Sequence, residues 1–202
     1  MKLALSNTET KEIPQKTQPD DFENTAERHL RFQSYEPADL ESLYREARGD
    51  YKYLVSRILE TESPLSEEWL LKRTCTFFNR EKVTSAVKRE YEREMADCEA
   101  YGIQRSSGFL YKKGQKQIIF RSPGAIPRDV KYISPEELAS GILTILSQNS
   151  YAEKDGLYKT LAEYCGLKRI GNAVTERFDG AVNFLKDHGY VTVEDNQISL
   201  KH

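Results

Sequence analysis

The side chains of this 202-residue chain best suited to chemistry are 3 histidines and 3 cysteines. Their spacing assembles no site. His29 sits in a polar lead, His188 closes an apolar-striped segment, and His202 is the last residue. An imidazole at a helix end serves the terminal carbonyls more readily than it serves catalysis. Cys75, Cys98 and Cys165 form no CxxC pair and no Cys/His cluster, the spacings that zinc sites use. They read as buried thiols in a reducing cytosol. The phosphate loop GxxxxGK[ST], the zinc motif HExxH and the nucleophile elbow GxSxG do not occur. Carboxylates are numerous but scattered among cations, which favours ion pairs over acid–base work. The expectation is a chain that is not an enzyme, uses no cofactor and holds no metal.

The informative charges are cations. Lys112, Lys113 and Lys116 lie in GFLYKKGQKQIIF, around a Lys113-Gly114 turn with no acidic neighbour in sequence. Such a basic tip can touch phosphates without reading bases. Lys168 and Arg169 precede Gly171, Asn172, Thr175 and Arg177. A basic pair, a glycine and small polar groups at a helix start suit close approach to a phosphate. Lys112, Lys113, Lys116, Lys168, Arg169 and Arg177 are therefore the candidate nucleic-acid contacts. Lys72, Arg73, Arg80, Lys82, Lys88 and Arg89 form a further group. The competing reading is that all of these are solvated face charges. KREYERE carries both signs at pairing distance along a helix, and Arg169 can pair with an acidic neighbour in a turn.

The elements around these residues repeat. From about Asp50 to Arg121, and again from about Ser134 to Lys201, three helical patterns precede a β-hairpin. Tyr51, Leu54, Val55, Ile58 and Leu59 stripe the first helix, which Ser63-Pro64 ends. Ser66 caps a second helix bearing Trp69, Leu70 and Phe77, and Asn79 caps a third that runs to Tyr101-Gly102. In the second copy Ser134, Pro135 and Glu137 form a capping box with proline at the first helical position. Gly166 and Gly189 close the later helices, and YVTVEDNQISL turns at Asp195-Asn196. Pro37 opens a short extra helix that ends at Gly49.

Hydrophobic residues make up 38% of the chain and charged residues 31%, a balance that suits small, thin-cored modules. The expected organisation is a disordered lead over 1–36, a first module over 37–122, a linker over 123–133 and a second module over 134–202. Three helices and a two-stranded flap is the order of a winged helix, a helix-turn-helix variant. The expected fold is thus mainly α with small β-hairpins, as two winged-helix-like modules in tandem. The net charge of −2 requires any phosphate-binding face to be a local patch. MKLALSNTETK is too short an apolar run for a signal peptide, and no stretch reaches the ~20 apolar residues that span a bilayer. A cytoplasmic protein is expected.

The run GFLY…IIFR…IPRDVKYISPEELASGIL…CGLKRIGNAVTERFDGAVNFLKDHGYV resembles the domain of unknown function 3320 family over roughly residues 40–195. Gly108, Phe109 and Arg121 frame the first hairpin of that pattern. Ile133, Pro135 and Glu137 open the second module, and Gly166, Arg169, Gly171 and Arg177 mark its last helix pair. The family lies at the C-terminal end of large bacterial proteins with a superfamily 1 helicase core and a restriction-endonuclease-like domain. The resemblance implies a helicase-associated accessory piece whose partners are duplex or forked DNA, with the motor and the nuclease site outside these residues. A protein-interaction module docking onto the helicase core or a partner subunit is the alternative.

Overall fold

Asp39, Asp50, Ser66, Thr84 and Ser134 each turn a side-chain oxygen onto the amides of the helical turn that follows. Those amides have no partner inside the helix, so the caps fix where helices begin. The computed structural model describes residues 32–124 and 127–201. His29 and His202, with most of the expected lead, lie outside them.

Strand β1 (Gln33–Ser34) precedes α1 (Leu40–Ala47), α2 (Tyr51–Glu62), β2 (Leu65–Ser66), α3 (Glu67–Thr74), α4 (Ser85–Glu94), β3 (Ile103–Ser106) and β4 (Phe109–Lys112). Then come β5 (Arg121–Ser122), α5 (Pro135–Asn149), β6 (Tyr151–Glu153), α6 (Lys154–Tyr164), α7 (Asn172–Asp187), β7 (Val191–Glu194) and β8 (Gln197–Leu200). One topology occurs twice: helix, short strand, two helices, hairpin. In each copy the last hairpin strand lies in the middle of an antiparallel sheet, in the orders β2-β4-β3 and β6-β8-β7. Each copy has its own core. Tyr51, Leu54, Ile58, Leu70, Val87 and Ile103 belong to the first. Leu138, Ile142, Leu161, Phe178, Leu185 and Ile198 belong to the second.

The two cores meet at β4. Successive side chains on a strand point to opposite faces. Leu110 enters the first core, while Phe109 and Tyr111 enter the second, with Ile118 and Phe120 beside them. The sheet of the first copy is therefore covered on both faces, and the copies pack as one body.

Glu137 holds the junction. Its carboxylate accepts from Arg121 Nε (3.1 Å), Arg121 Nη2 (2.7 Å) and the Arg121 amide (3.2 Å). It also accepts from Arg128 Nη1 (3.1 Å) and Nη2 (2.6 Å). Arg121 Nη2 reaches on to the Pro64 carbonyl of the first copy at 2.8 Å. All three side chains are buried. Burial pushes the Glu137 carboxyl up, but the guanidiniums of Arg121 and Arg128 outweigh it and hold it below the ordinary carboxylate range. Ser134 caps α5 as expected. Glu137 does not reach back to complete a capping box, because its oxygens are taken by the arginines.

Residues 32–36 are not part of a loose lead. Gln33 and Ser34 pair in parallel with Arg121 and Ser122. Phe32 packs on Phe120 and Tyr164 of the second core at ring-centroid distances of 5.3 and 4.2 Å. Tyr35 is 1% exposed. Its hydroxyl donates to Glu62, which also takes Arg73 at 2.5 Å and the Ala38 amide at 2.8 Å. Its ring lies under the Arg128 guanidinium, 4.1 Å from the centroid. This short segment straps both copies together.

Four boundaries depart from the expectation. Asp39 caps α1, so the helix begins at Leu40 after Pro37 has turned the chain. Asn79 ends a 3-10 turn in the left-handed region, and Thr84 caps α4 instead. The third helix stops at Glu94, because Asp97 adopts φ 55° and a 3-10 turn, Cys98–Tyr101, carries the chain back to the core. The first hairpin turns at Ser107-Gly108, both with positive φ, which suits a tight two-residue turn. Lys113-Gly114 lies one strand later.

Candidate nucleic-acid interface

The shifted hairpin moves the three wing lysines. The tip, Ser107-Gly108, is docked on the start of α3, where the Glu67 amide donates to the Gly108 carbonyl at 3.0 Å. Lys112 ends β4 at the opposite end of the hairpin, with its amide near Ser63 Oγ (2.8 Å) and its ammonium on Glu60. The Lys113 amide donates to Gly102 at 2.8 Å, and Lys116 follows on an exposed, irregular stretch. Lys112, Lys113 and Lys116 are exposed, but they do not form a tip, and Glu60 is the acidic neighbour that sequence distance concealed.

Arg177 is not a free phosphate ligand. It is half-buried on α7, donates to the Ile133 carbonyl, and lies 5.8 Å over the Phe109 ring from the first copy. Burial lowers its pKa. It props the junction between the copies. Lys72 and Arg73 are likewise engaged: Lys72 with Glu68 (3.0 Å) and Tyr132 (2.5 Å), Arg73 with Glu62. Glu68 also holds Lys131 at 3.0 Å. Hydrogen bonds from Lys72 and Lys131 bring its carboxyl down to about 2.

Lys168 and Arg169 stand where the expectation put them. Gly166 takes φ 70°, and the Leu167 amide closes α6 on the Ala162 carbonyl at 2.9 Å. Leu167 and Val174 rest against the second core and anchor the two feet of the loop. Between them Lys168 to Ala173 are all exposed, without an acidic side chain in the run. No side chain caps α7, which starts after Gly171.

The equivalent loop of the first copy, ahead of α4, presents Arg80 and Lys82. The Arg80 guanidinium donates to the Asn79 carbonyl at 3.0 Å and makes no ion pair among the described residues. Lys88 and Arg89 are exposed on α4. Along KREYERE no i,i+4 ion pair forms among the described residues; Arg93 meets its neighbour Glu94 at 3.5 Å. Glu92 instead holds Arg105 of the hairpin at 2.9 Å, with Glu67 on the same guanidinium at 2.6 Å. Lys88 and Arg89 make no ion pair among the described residues.

The second hairpin is acidic. Glu153, Gln197 and Glu194 lie in one exposed row across β6, β8 and β7. The buried cluster of Glu137, Arg121, Arg128 and Tyr35 is not foreseen in the sequence, where Glu137 and Arg121 stand only as capping and hairpin residues. Its one signal was a charged group against an apolar run, IIF before Arg121.

Among the described residues no group of three or more His, Cys, Asp or Glu side chains could hold a metal, and no helix is long and apolar enough to cross a membrane. Comparison with protein-family models, with curated proteins and with solved structures found no match.

Proposed function

We propose that this chain is a non-catalytic nucleic-acid-binding accessory unit, built from two winged-helix-like modules. One observation carries the reading. In both copies the loop ahead of the third helix bears exposed cations without an ion pair among the described residues: Arg80 and Lys82 before α4, Lys168 and Arg169 before α7. In helix-turn-helix proteins that helix enters the groove with its N-terminal residues at the base edges, and cations on the loop before it stand close to the flanking phosphates. The strand orders support the modules, since each hairpin is joined by the short strand between the first two helices. Association with a helicase or nuclease core is supported by the sequence resemblance alone. The acidic row Glu153-Gln197-Glu194 supports a division of labour, with that edge turned away from phosphates and free to meet a basic protein partner.

Binding of the full chain to labelled duplex and forked DNA, titrated with salt, tests the reading. Four cations imply a slope of about −3.6 in log K against log salt, or roughly a hundredfold loss from about 50 to 200 mM. Lys168→Gln with Arg169→Gln, and separately Arg80→Gln with Lys82→Gln, should each reduce the slope by about 2. A flat salt response, or a slope that neither double variant changes, overturns it.

A further inference from the structure

The loop ahead of α7 also carries an exposed apolar side chain. Ile170 is 41% exposed, and it is the one aliphatic side chain among the four large exposed hydrophobics of the described residues. The other three are tyrosines, of which Tyr101 is already engaged, its hydroxyl on Asp50 at 3.0 Å and its ring under Lys52. Ile170 sits between Arg169 and Gly171. The core-facing duties of this loop belong to Leu167 and Val174, which are its neighbours on either side, so packing does not explain the isoleucine. Its sequence neighbours are cationic, with Lys168 and Arg169 immediately before it and no acidic residue after it until Glu176. Gly171 leaves open space where a Cβ would stand, so a surface can approach the loop closely.

A partner for this tip has to be anionic and must also offer an apolar face next to its charges. An intact duplex hides its base faces, whereas an opened or unstacked step exposes them beside the phosphates. Apolar side chains that enter such steps are a recurring device of proteins that bind distorted DNA. Resting on the nucleic-acid reading above, we propose that Ile170 contacts exposed base faces at an opened step, while Lys168 and Arg169 hold the flanking phosphates. The second copy is then a reader of junctions between double- and single-stranded nucleic acid, and its preference for forks resides in one side chain.

The experiment compares the full chain with Ile170→Ser, Ile170→Leu and Lys168→Gln/Arg169→Gln. Each is titrated against a forked DNA, the matching intact duplex, and vesicles of phosphatidylcholine with phosphatidylserine. Ile170→Ser should weaken fork binding about tenfold, leave duplex binding within about twofold, and leave the salt slope unchanged. Ile170→Leu should keep the fork preference. The lysine–arginine double variant should weaken both DNAs together and lower the slope. If Ile170→Ser weakens fork and duplex equally, or neither, the inference falls while salt-dependent binding keeps the wider reading intact. If the unmodified chain binds neither DNA, both fall. Vesicle binding that depends on Ile170, without a fork preference, assigns the tip to a membrane surface and overturns the inference.

Discussion

Replacing Glu137 with glutamine isolates the device that locks the two copies together. The variant keeps the size of the side chain and the Ser134 cap, but removes the charge that Arg121 and Arg128 share. Arg121 and Arg128 are each 7% exposed, so neither guanidinium can turn to water. Five hydrogen bonds converge on the carboxylate, and the amide nitrogen of glutamine would face donors with a donor. Summing the bonds at ~1.5–3 kcal/mol each overstates the loss, because the carboxylate was also desolvated. Breaking a buried pair by removing one partner costs about 3–5 kcal/mol, and the second stranded arginine places this case in the upper half of that range. A loss of ~4 kcal/mol is a large part of the ~5–15 kcal/mol that stabilises an ordinary domain. At ~2–4 °C per kcal/mol for a chain of this size, the melting temperature should fall by ~8–16 °C. Urea and thermal unfolding of the full chain, followed by circular dichroism and by tyrosine and tryptophan fluorescence, give the measurement. The two probes should separate in the variant, since the copies lose their shared lock before their own cores. A loss below ~1 kcal/mol, with coincident probes, would show that apolar packing across β4 joins the copies and that the ionic cluster is incidental.

Tyr35→Phe removes the hydroxyl that meets Glu62 and should cost ~1–2 kcal/mol, read as a lower urea midpoint; Tyr35→Ala, which also uncovers Arg128, should cost clearly more. Gly124→Ala puts a Cβ against the Tyr35 carbonyl oxygen, so it should lift the strap and speed hydrogen exchange at Gln33–Tyr35 while exchange in the α2 interior is retained. Stability should fall with acid. Glu137 and Glu68 both have lowered pKa values in the folded state, so the stability they contribute is complete above their ordinary value of 4.5 and is lost as pH drops through the lowered values, down to about 2 for Glu68. A Glu137→Gln profile as steep as that of the unmodified protein would take Glu137 out of that account.

Helix identity and the doubled order were legible because local chemistry sets them. Ser66 and Ser134 cap their helices through their own side chains, and apolar stripes at helical spacing turned inward. The second hairpin was legible for the same reason, since Asp195-Asn196 is a turn in any context. The first hairpin was not. LYKKGQKQIIF looks like strand, turn and strand, but Phe109 and Tyr111 are wanted by the second core and Leu110 by the first, so the turn moved back to Ser107-Gly108. The candidate site was legible where it is local and illegible where it depends on contacts. Lys168 and Arg169 lie on a loop whose exposure follows from its feet, Leu167 and Val174. Arg177 reads the same in sequence, yet its neighbours are Ile133 and Phe109, 44 and 68 positions away. No periodicity reports such distances, and the same holds for Glu60 beside Lys112.

The packing of the two copies has a consequence for how they differ. In a free winged helix the hairpin can meet the nucleic acid. Here the first hairpin has Phe109 and Tyr111 in the second core, its tip on α3 and Arg105 bound by Glu67 and Glu92. The second hairpin keeps a solvent-facing row, but that row carries Glu153 and Glu194. Neither flap then suits a phosphate backbone, the first for want of freedom and the second for want of charge. What remains alike in both copies is the loop ahead of the third helix. The strap and the Glu137 cluster join the two copies that carry those loops. Loosening the strap through Gly124→Ala should therefore weaken DNA binding that needs both loops, without touching a cation. In that variant the contribution of Arg80 and Lys82 should no longer add to that of Lys168 and Arg169. Full additivity in the loosened protein would show that the loops act independently and that their separation has no bearing on binding.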